Sequence, residues 1–437
     1  MMGPTLTAAI ETHGCKLNQA DSQALARRLL QAGFRLVTSD TPADVYILNS
    51  CTVTHIADSK ARQAMRAARR RNPHGLVVVT GCYAQRSRAD ISGLGDADLV
   101  VGNTGKTLLV QRILQARGEN RTPYATDAEM PLPPGTLTHT RTMVKIQEGC
   151  NQVCAYCVVP RVRGRERSIP LEALLREVRQ RVGEGYLEVV LTGTQPGTYG
   201  FDLPDANLAL LLSRILSETG VERLRVSSLQ PQEVTPSLLR LWEDPRLCPH
   251  FHLPLQSGCD ETLRRMRRRY TTQLYAQVVA QIRALRPEAA VTTDVIVGFP
   301  GETEGEFEES LAFCQRTPFA AIHLFPYSSR PGTSAAYLKP QVDTRVKGRR
   351  MVRMLELARQ KASQFRRRHI GKVRPVLWES PRQENGRRVY ARHTANYLET
   401  ITESPIPLTN RVTPARLVRE QGHTLYATVE PPSSPAG

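Results

Sequence analysis

The chain carries nine cysteines in 437 residues, and three of them are packed into one short run, Cys150-Asn-Gln-Val-Cys154-Ala-Tyr-Cys157. Three thiolates at this C-x3-C-x2-C spacing can wrap one iron–sulfur cluster, and three is the informative number. A four-iron cluster ordinarily takes four cysteines, so three leave one iron open to a non-protein ligand. A zinc knuckle is the alternative, and it wants a fourth Cys or His close by. None follows before Cys248.

Cys15, Cys51 and Cys82 are far apart in sequence but share a position. Each stands just beyond a β-rich run: Thr7–Thr12, Val45–Asn49 and Leu76–Thr80. In an open α/β sheet the carboxyl ends of the strands form the ligand crevice. The three thiols are therefore expected on one sheet edge, converging on a second three-ligand site. Three unrelated core cysteines are the bland alternative. Cys248, Cys259 and Cys314 show no such convergence and read as core or surface thiols. The run Gly102–Thr107, GNTGKT, imitates a phosphate-binding loop, but that motif needs a glycine where Val100 stands.

The elements that must position these thiols fall into three blocks. Residues 1–121 alternate strands with amphipathic helices such as Ser22–Ala32 and Ser59–Arg71, which predicts a small open parallel α/β domain. A Pro/Gly/Thr-rich stretch, 122–142, reads as a linker. Over 143–370, strand candidates Met143–Gln147, Glu188–Thr192, Arg223–Ser227, His250–Leu255, Val291–Val297 and Ala321–Phe325 alternate with helices. Six such units fit a (β/α) barrel or a partial one, closed by a basic helix, Arg345–His369. Residues 371–430 change to short β runs separated by turn residues, a small all-β module that fits an antiparallel barrel. Residues 431–437 are expected to be a disordered tail.

The C-x3-C-x2-C triplet is the signature of the radical S-adenosylmethionine superfamily, which this chain resembles. More of the chain is similar to the methylthiotransferase branch of that superfamily. The resemblance rests on Thr12-His-Gly-Cys15-Lys-Leu-Asn18-Gln, Asn49-Ser-Cys51-Thr-Val-Thr, Gly81-Cys82-Tyr-Ala-Gln85 and Gln147-Glu-Gly-Cys150. Further along it rests on Leu253-Pro-Leu-Gln256-Ser-Gly258, Asp294-Val-Ile-Val-Gly298-Phe-Pro-Gly301-Glu302-Thr303, Phe325-Pro-Tyr327-Ser328-Ser-Arg330-Pro-Gly332-Thr333 and Thr394-Ala-Asn396-Tyr397.

The resemblance implies two [4Fe-4S] clusters with S-adenosyl-L-methionine as cofactor, and a C-terminal TRAM (OB-like) RNA-binding module. It implies that sulfur on the open iron of the Cys15/Cys51/Cys82 cluster is methylated by one S-adenosylmethionine. A second, on the Cys150/Cys154/Cys157 cluster, yields the radical that removes a substrate hydrogen. Radical chemistry suits an unactivated C–H, which no side-chain base can usefully deprotonate. By the same resemblance Tyr156 lies beside the adenine of the cofactor and Gly193–Thr194 near its methionine amine, with core packing the alternative for Tyr156. Ser227, Ser228, Gln256 and Asp294, at strand ends facing the same mouth, are candidate cofactor contacts, with barrel packing or turn capping as the alternative.

Charge bears on the substrate. The formal net charge is +18, which points to a polyanionic partner. No run is apolar enough to span a membrane, Met1-Met2-Gly3-Pro4 has no signal-peptide character, and a cytoplasmic protein is expected. Ser59–Arg71 carries six basic residues and no acid, and Arg345–Lys372 carries eleven against Glu356 alone. Either helix alone could be only a solvated face; together they favour a phosphate track on tRNA, with no DNA or membrane partner expected. Arg161, Arg163 and Arg165 are candidates to meet the anticodon loop or the threonyl carboxylate of the modified base, and Arg366, Arg367 and Arg368 to meet RNA.

The family's branches act on isopentenyl- or threonylcarbamoyl-adenosine 37 of tRNA, or on an aspartate of a ribosomal protein. The run Cys51-Thr-Val-Thr-His-Ile-Ala-Asp58-Ser-Lys60-Ala-Arg62 most resembles the threonylcarbamoyl branch. An electron donor such as flavodoxin or ferredoxin is implied. An RNA-binding scaffold with purely structural clusters is the reading from a different class.

Overall fold

A computed structural model describes residues 5–119 and 140–430; most of the expected linker and the tail after Glu430 lie outside the described residues. The first sheet is wholly parallel. Its strands are β1 (Thr7–Thr12), β2 (Arg35–Val37), β3 (Val45–Ser50), β4 (Leu76–Gly81) and β5 (Leu99–Val101), in the order β2-β1-β3-β4-β5. Every residue of β3 is buried, because helices cover both faces of the sheet. Val45 and Ile47 face Leu25 and Leu29 of helix α1 (Lys16–Gln31). Tyr46 and Leu48 face Ala61, Met65 and Ala68 of helix α2 (His55–Arg71). The strand order turns back between β1 and β3, and such a switch point is where open sheets bind ligands beyond their carboxyl ends. Both helices begin earlier than the apolar periodicity indicates, since Cys15 and Thr54 occupy their N-cap positions.

The central strands are Arg141–Lys145, Glu188–Thr192, Arg223–Val226, His250–His252, Ala290–Val297 and Ala321–Pro326. The first three pair in parallel, as do the last three. Bridges Leu224–Leu247 and Ser228–His252 join the two sets. The result is an open arc of six parallel strands, the partial (β/α) barrel anticipated, with no closure of the last strand on the first among the described residues. One large apolar core fills it, from Val144 through Leu211 and Phe251 to Met354.

Helix Thr344–Arg367 hands the chain to a six-stranded C-terminal sheet. Most of its pairings are antiparallel, but Glu399–Glu403 runs parallel to Thr424–Val429, so the antiparallel expectation holds only in part. Trp378, Tyr390 and Leu417 form its core. The Val376–Thr394 bridge draws the first strand of this sheet back towards the end of Arg387–His393. No helix among the described residues is long and apolar enough to cross a membrane.

Candidate active site

The strand-end thiols meet at the switch point. Cys15 is the N-cap of α1, exposed and making no side-chain capping bond, so its sulfur sits at the positive end of a sixteen-residue helix. Cys51 leaves β3 and Cys82 opens the short helix Cys82–Arg86; both are buried. The chain before Cys15 rests directly on Cys51. A Cβ at Gly14 (φ +102°) would lie 2.7 Å from Cys51 Cβ, so only glycine fits. Burial pushes the Cys51 thiol up to about 11, and the neighbouring thiols of Cys82 and Cys15 add to the rise.

The second triad occupies one loop. The Cys150 amide donates to Gly164 O at 3.1 Å and the Cys157 amide to Cys154 O at 3.1 Å. A Cβ at Gly149 (φ +80°) would strike Arg165 O at 1.9 Å, so this loop also needs glycine before its first cysteine. Burial raises Cys150 to about 11 and Cys157 to about 12. Around the triad lies a polar shell that sequence reading missed. Arg268 Nη1 stands 3.3 Å from Cys154 Sγ, and its Nη2 donates to Gln230 Oε1 at 3.0 Å. Cys150 Sγ is 3.3 Å from Gln195 Oε1, and Gln195 Nε2 donates to Glu233 Oε1 at 2.5 Å. The available signal was position: Gln195 and Gln230 lie just past the same strand ends as Thr194 and Ser228.

The donor sets suit a polynuclear cluster. Each triad offers three thiols, and Cys248, Cys259 and Cys314 are buried elsewhere. Among the described residues no group of three or more His, Cys, Asp or Glu side chains is placed to hold a metal ion. Buried thiols with raised pKa values become thiolates only against compensating positive charge, which iron bound there would supply.

The two triads adjoin. Cys82 packs against Val158 and Val162, just past Cys157. Asn103 lies 3.6 Å from Cys82 Sγ and donates to Val162 O at 2.8 Å. Lys106 is bound to Asp21 at 2.7 Å. The run GNTGKT is thus a joint between the first two blocks. Arg163 requires a correction as an RNA contact: its side chain is 2% exposed, held by Glu148 at 2.8 Å, Asn18 at 2.5 Å and Asp21 at 3.3 Å. Asp21 and Glu148 sequester it beside Cys82 and Cys15, and although burial opposes its charge these neighbours hold its pKa above the usual arginine value. Arg161 and Arg165 remain exposed. A second latch joins Arg330 to Asp58 at 2.7 Å and to Thr52, the residue after Cys51, at 2.9 Å.

Between the three blocks opens a cavity of about 750 Å³. Cys15, Lys16 and Val159 form part of its wall, and Gly193, Thr194, Ser227, Ser228 and Asp294 form another, as their strand-end positions anticipate. Asp294 is hydrogen-bonded to His252 at 3.2 Å. Gln256 and Tyr156 do not line it. Gln256 is held by its backbone against Asp294 O at 2.8 Å in a left-handed conformation (φ +65°). Tyr156 packs edge-on against Phe299, centroids 6.4 Å apart, which is the core-packing alternative. The C-terminal module closes the cavity with His393, Asn396 and Tyr397. Tyr397 (φ +67°) is stacked between His250 at 4.3 Å and His393 at 4.4 Å.

The basic helices carry less free charge than their composition suggests. On α2, Arg66 and Arg69 pair with Asp96 and Asp98, while Arg62 and Arg71 donate to Tyr83 Oη and Ser39 O. On Thr344–Arg367, Arg350 and Arg353 pair with Glu302, Glu304 and Glu308, and Arg366 and Arg367 share Glu420. Arg345, Arg349, Arg359 and Arg368 stay exposed.

Two family profiles match the chain: "Uncharacterized protein family UPF0004" over residues 7–102 and "Radical SAM superfamily" over residues 144–314. The chain is 36% identical over 424 residues to threonylcarbamoyladenosine tRNA methylthiotransferase MtaB of Bacillus subtilis, covering 94% of each. It is 41% identical to the protein of that name from Aquifex aeolicus, covering 86% of this chain and 94% of the other. The chain belongs to the radical S-adenosylmethionine methylthiotransferase family. Another relative is the tRNA-2-methylthio-N(6)-dimethylallyladenosine synthase of Syntrophobacter fumaroxidans, 35% identical over 95% of this chain and 94% of its own. Among solved structures, the radical S-adenosylmethionine methyltransferase TsrM of Kitasatospora setae aligns with a TM-score of 0.52 at 15% identity, over 73% of each chain. That likeness is one of fold. Methylthiotransferases of this family use S-adenosylmethionine and two [4Fe-4S] clusters.

Proposed function

We propose that this chain transfers a methylthio group to C2 of N6-threonylcarbamoyladenosine at position 37 of tRNA. One observation carries the reading: two three-thiol sets of different build adjoin, and Cys15 of one and Val159 beside the other share the wall of one cavity. Two open sites are what this transfer needs, because one iron cannot hold both cofactor and sulfur donor. Relatives bearing the threonylcarbamoyladenosine name, at 36% and 41% identity over most of the chain, support the substrate.

We assign one cluster to Cys15, Cys51 and Cys82 and the other to Cys150, Cys154 and Cys157. When bound, the groups supply reductive cleavage of S-adenosylmethionine and a seat for the transferred sulfur. The protein's part is placement and exclusion of water. Arg268 and Arg163 set positive charge beside the thiolates of one triad each. Thr194, Ser227, Ser228 and Asp294 line the cavity where cofactor and base would meet. The C-terminal sheet acts as a TRAM-type RNA grip, with Arg359, Arg368, Arg161 and Arg165 offering exposed charge to phosphate. A flavodoxin or ferredoxin supplies the electron in the cytoplasm.

Nucleoside mass spectrometry of bulk tRNA from a strain lacking this protein tests the proposal. Loss of 2-methylthio-N6-threonylcarbamoyladenosine, restored by the cloned chain, supports it; persistence of that nucleoside defeats it. The second reading, methylthiolation of isopentenyladenosine 37, is favoured by the dimethylallyladenosine relatives and would remove the isopentenyl product instead.

A further inference from the structure

The cavity has a charge imbalance at one end that the proposed chemistry does not use. Beneath its floor Glu188, fully buried, faces three guanidinium groups: Arg223 at 2.8 Å, Arg225 at 3.0 Å and Arg141 at 4.0 Å. Arg141 also leans on Glu379 at 3.7 Å, but that carboxylate is shared with Arg392. The histidines there add no further positive charge. Burial, and then the neighbouring cations, push His393 down to about 3 and His250 well below the usual range, so both are neutral.

Lys16 is the cation of this group that lines the cavity, immediately after Cys15. Its Nζ lies 5.8 Å from the Tyr397 ring centroid, and Arg225 lies 4.8 Å from the same centroid. Among the described residues no ion pair involves Lys16. Of the acids lining the cavity, Asp294 is engaged by His252 and Glu399 is exposed. The end of the cavity nearest Cys15 is therefore a cationic seat without a matching carboxylate, and a cation left so is costly unless an anion arrives.

Resting on the substrate reading above, we propose that Lys16 receives the carboxylate of the threonyl group and so determines which modified adenosine is accepted. An N6-threonylcarbamoyl group differs from an isopentenyl group by this carboxylate, and a C2 atom held for transfer from the Cys15 side keeps the N6 substituent within the same cavity. A site built around a charged partner rejects a substrate that lacks it, because the cation is then desolvated and unpaired. Arg225 and Arg141 act behind Lys16 as fixed positive charge. A backbone phosphate of the RNA could supply the same anionic chemistry, and the experiment separates the two sources.

The reconstituted enzyme is given anticodon stem-loop RNAs carrying N6-threonylcarbamoyladenosine, its carboxyl methyl ester or N6-isopentenyladenosine, and kcat/KM is measured for wild type, Lys16→Met and Lys16→Arg. Iron and sulfide per chain are measured for each variant, so that loss of the neighbouring cluster is recognised. Wild type is expected to favour the acid over its ester by about tenfold or more. Lys16→Met should bring that ratio close to one with cluster content retained, and Lys16→Arg should restore part of it. An equal fall on acid and ester, with a shallower salt dependence, would assign Lys16 to a phosphate and overturn the proposal. So would a Lys16→Met enzyme that keeps the wild-type ratio. If Lys16→Met loses iron, the Arg225→Met and Lys16→Arg ratios decide instead, and an unchanged ratio in both overturns it. A wild type that ignores the acid and uses the isopentenyl RNA would sink the substrate reading itself, and this inference with it.

Discussion

The two cysteine triads present the same number of thiols by opposite means. Cys150, Cys154 and Cys157 sit on one loop, where the C-x3-C-x2-C spacing and local bonds such as Cys157 N to Cys154 O bring the sulfurs together. Cys15, Cys51 and Cys82 are gathered by a parallel sheet whose strand order turns back between β1 and β3. Their geometry also depends on other parts of the chain, through Arg330 to Asp58 and Thr52 and through Asn103 to Val162. A loop triad is a local object, whereas a strand-end triad is a property of the whole assembly. Remote substitutions should therefore reach the first triad more readily than the second.

The largest contrast is expected from the ligands themselves. Cys150→Ala should abolish both 5′-deoxyadenosine formation and methylthio transfer. Cys51→Ala should abolish transfer yet leave 5′-deoxyadenosine formation measurable, read by chromatography after dithionite reduction. Loss of both activities in each variant would erase the division of labour.

Next comes Arg330→Met. The Arg330 side chain is 1% exposed and its partner Asp58 5%. Removing one member of a buried pair costs about 3–5 kcal/mol; Arg86, 2.9 Å from the same carboxylate, should keep the effect near the lower end. Iron should be lost from the first triad before the second, seen as a fall towards half the iron per chain. Equal loss from both sites would deny that the latch serves one triad. Asn103→Ala should act in the same direction by about 1 kcal/mol, the worth of one hydrogen bond across the joint.

How much was legible in advance follows the same divide. Local chemistry was open to reading: the loop triad, the six central strands, and Thr194 and Asp294 on the cavity wall. The strand-end triad was legible because the carboxyl ends of parallel strands have a fixed meaning in such sheets. What escaped was pairing across the chain. Arg163 looks like a free basic residue beside Arg161 and Arg165 until α1 brings Asp21 against it. The arginines of the two basic helices look like a phosphate track until Asp96, Asp98, Glu302, Glu308 and Glu420 arrive from other elements. Tyr397 marks the family in sequence, but its stacking between His250 and His393 depends on docking of the C-terminal sheet.

That docking supplies the smallest effect and a test of the cavity's third wall. His393 is held neutral in the fold, with its pKa down to about 3 through burial and then the charges of Arg141, Arg392 and Arg225. In the unfolded chain it titrates near the ordinary histidine value, about 6.5. A depressed folded-state pKa gives stability that is present above the unfolded value and lost as pH falls, because the unfolded chain then takes the proton. By pH 5.5 the loss from one such histidine is about 1 kcal/mol, and His250, also depressed, adds in the same direction. His393→Phe preserves an aromatic face against Tyr397 while removing the titration. The drop in Tm between pH 7.5 and 5.5 should shrink by about 1–2 °C in the variant relative to wild type. An unchanged pH dependence would mean that His393 is not desolvated by docking, and that the C-terminal module does not seal the cavity near Cys15.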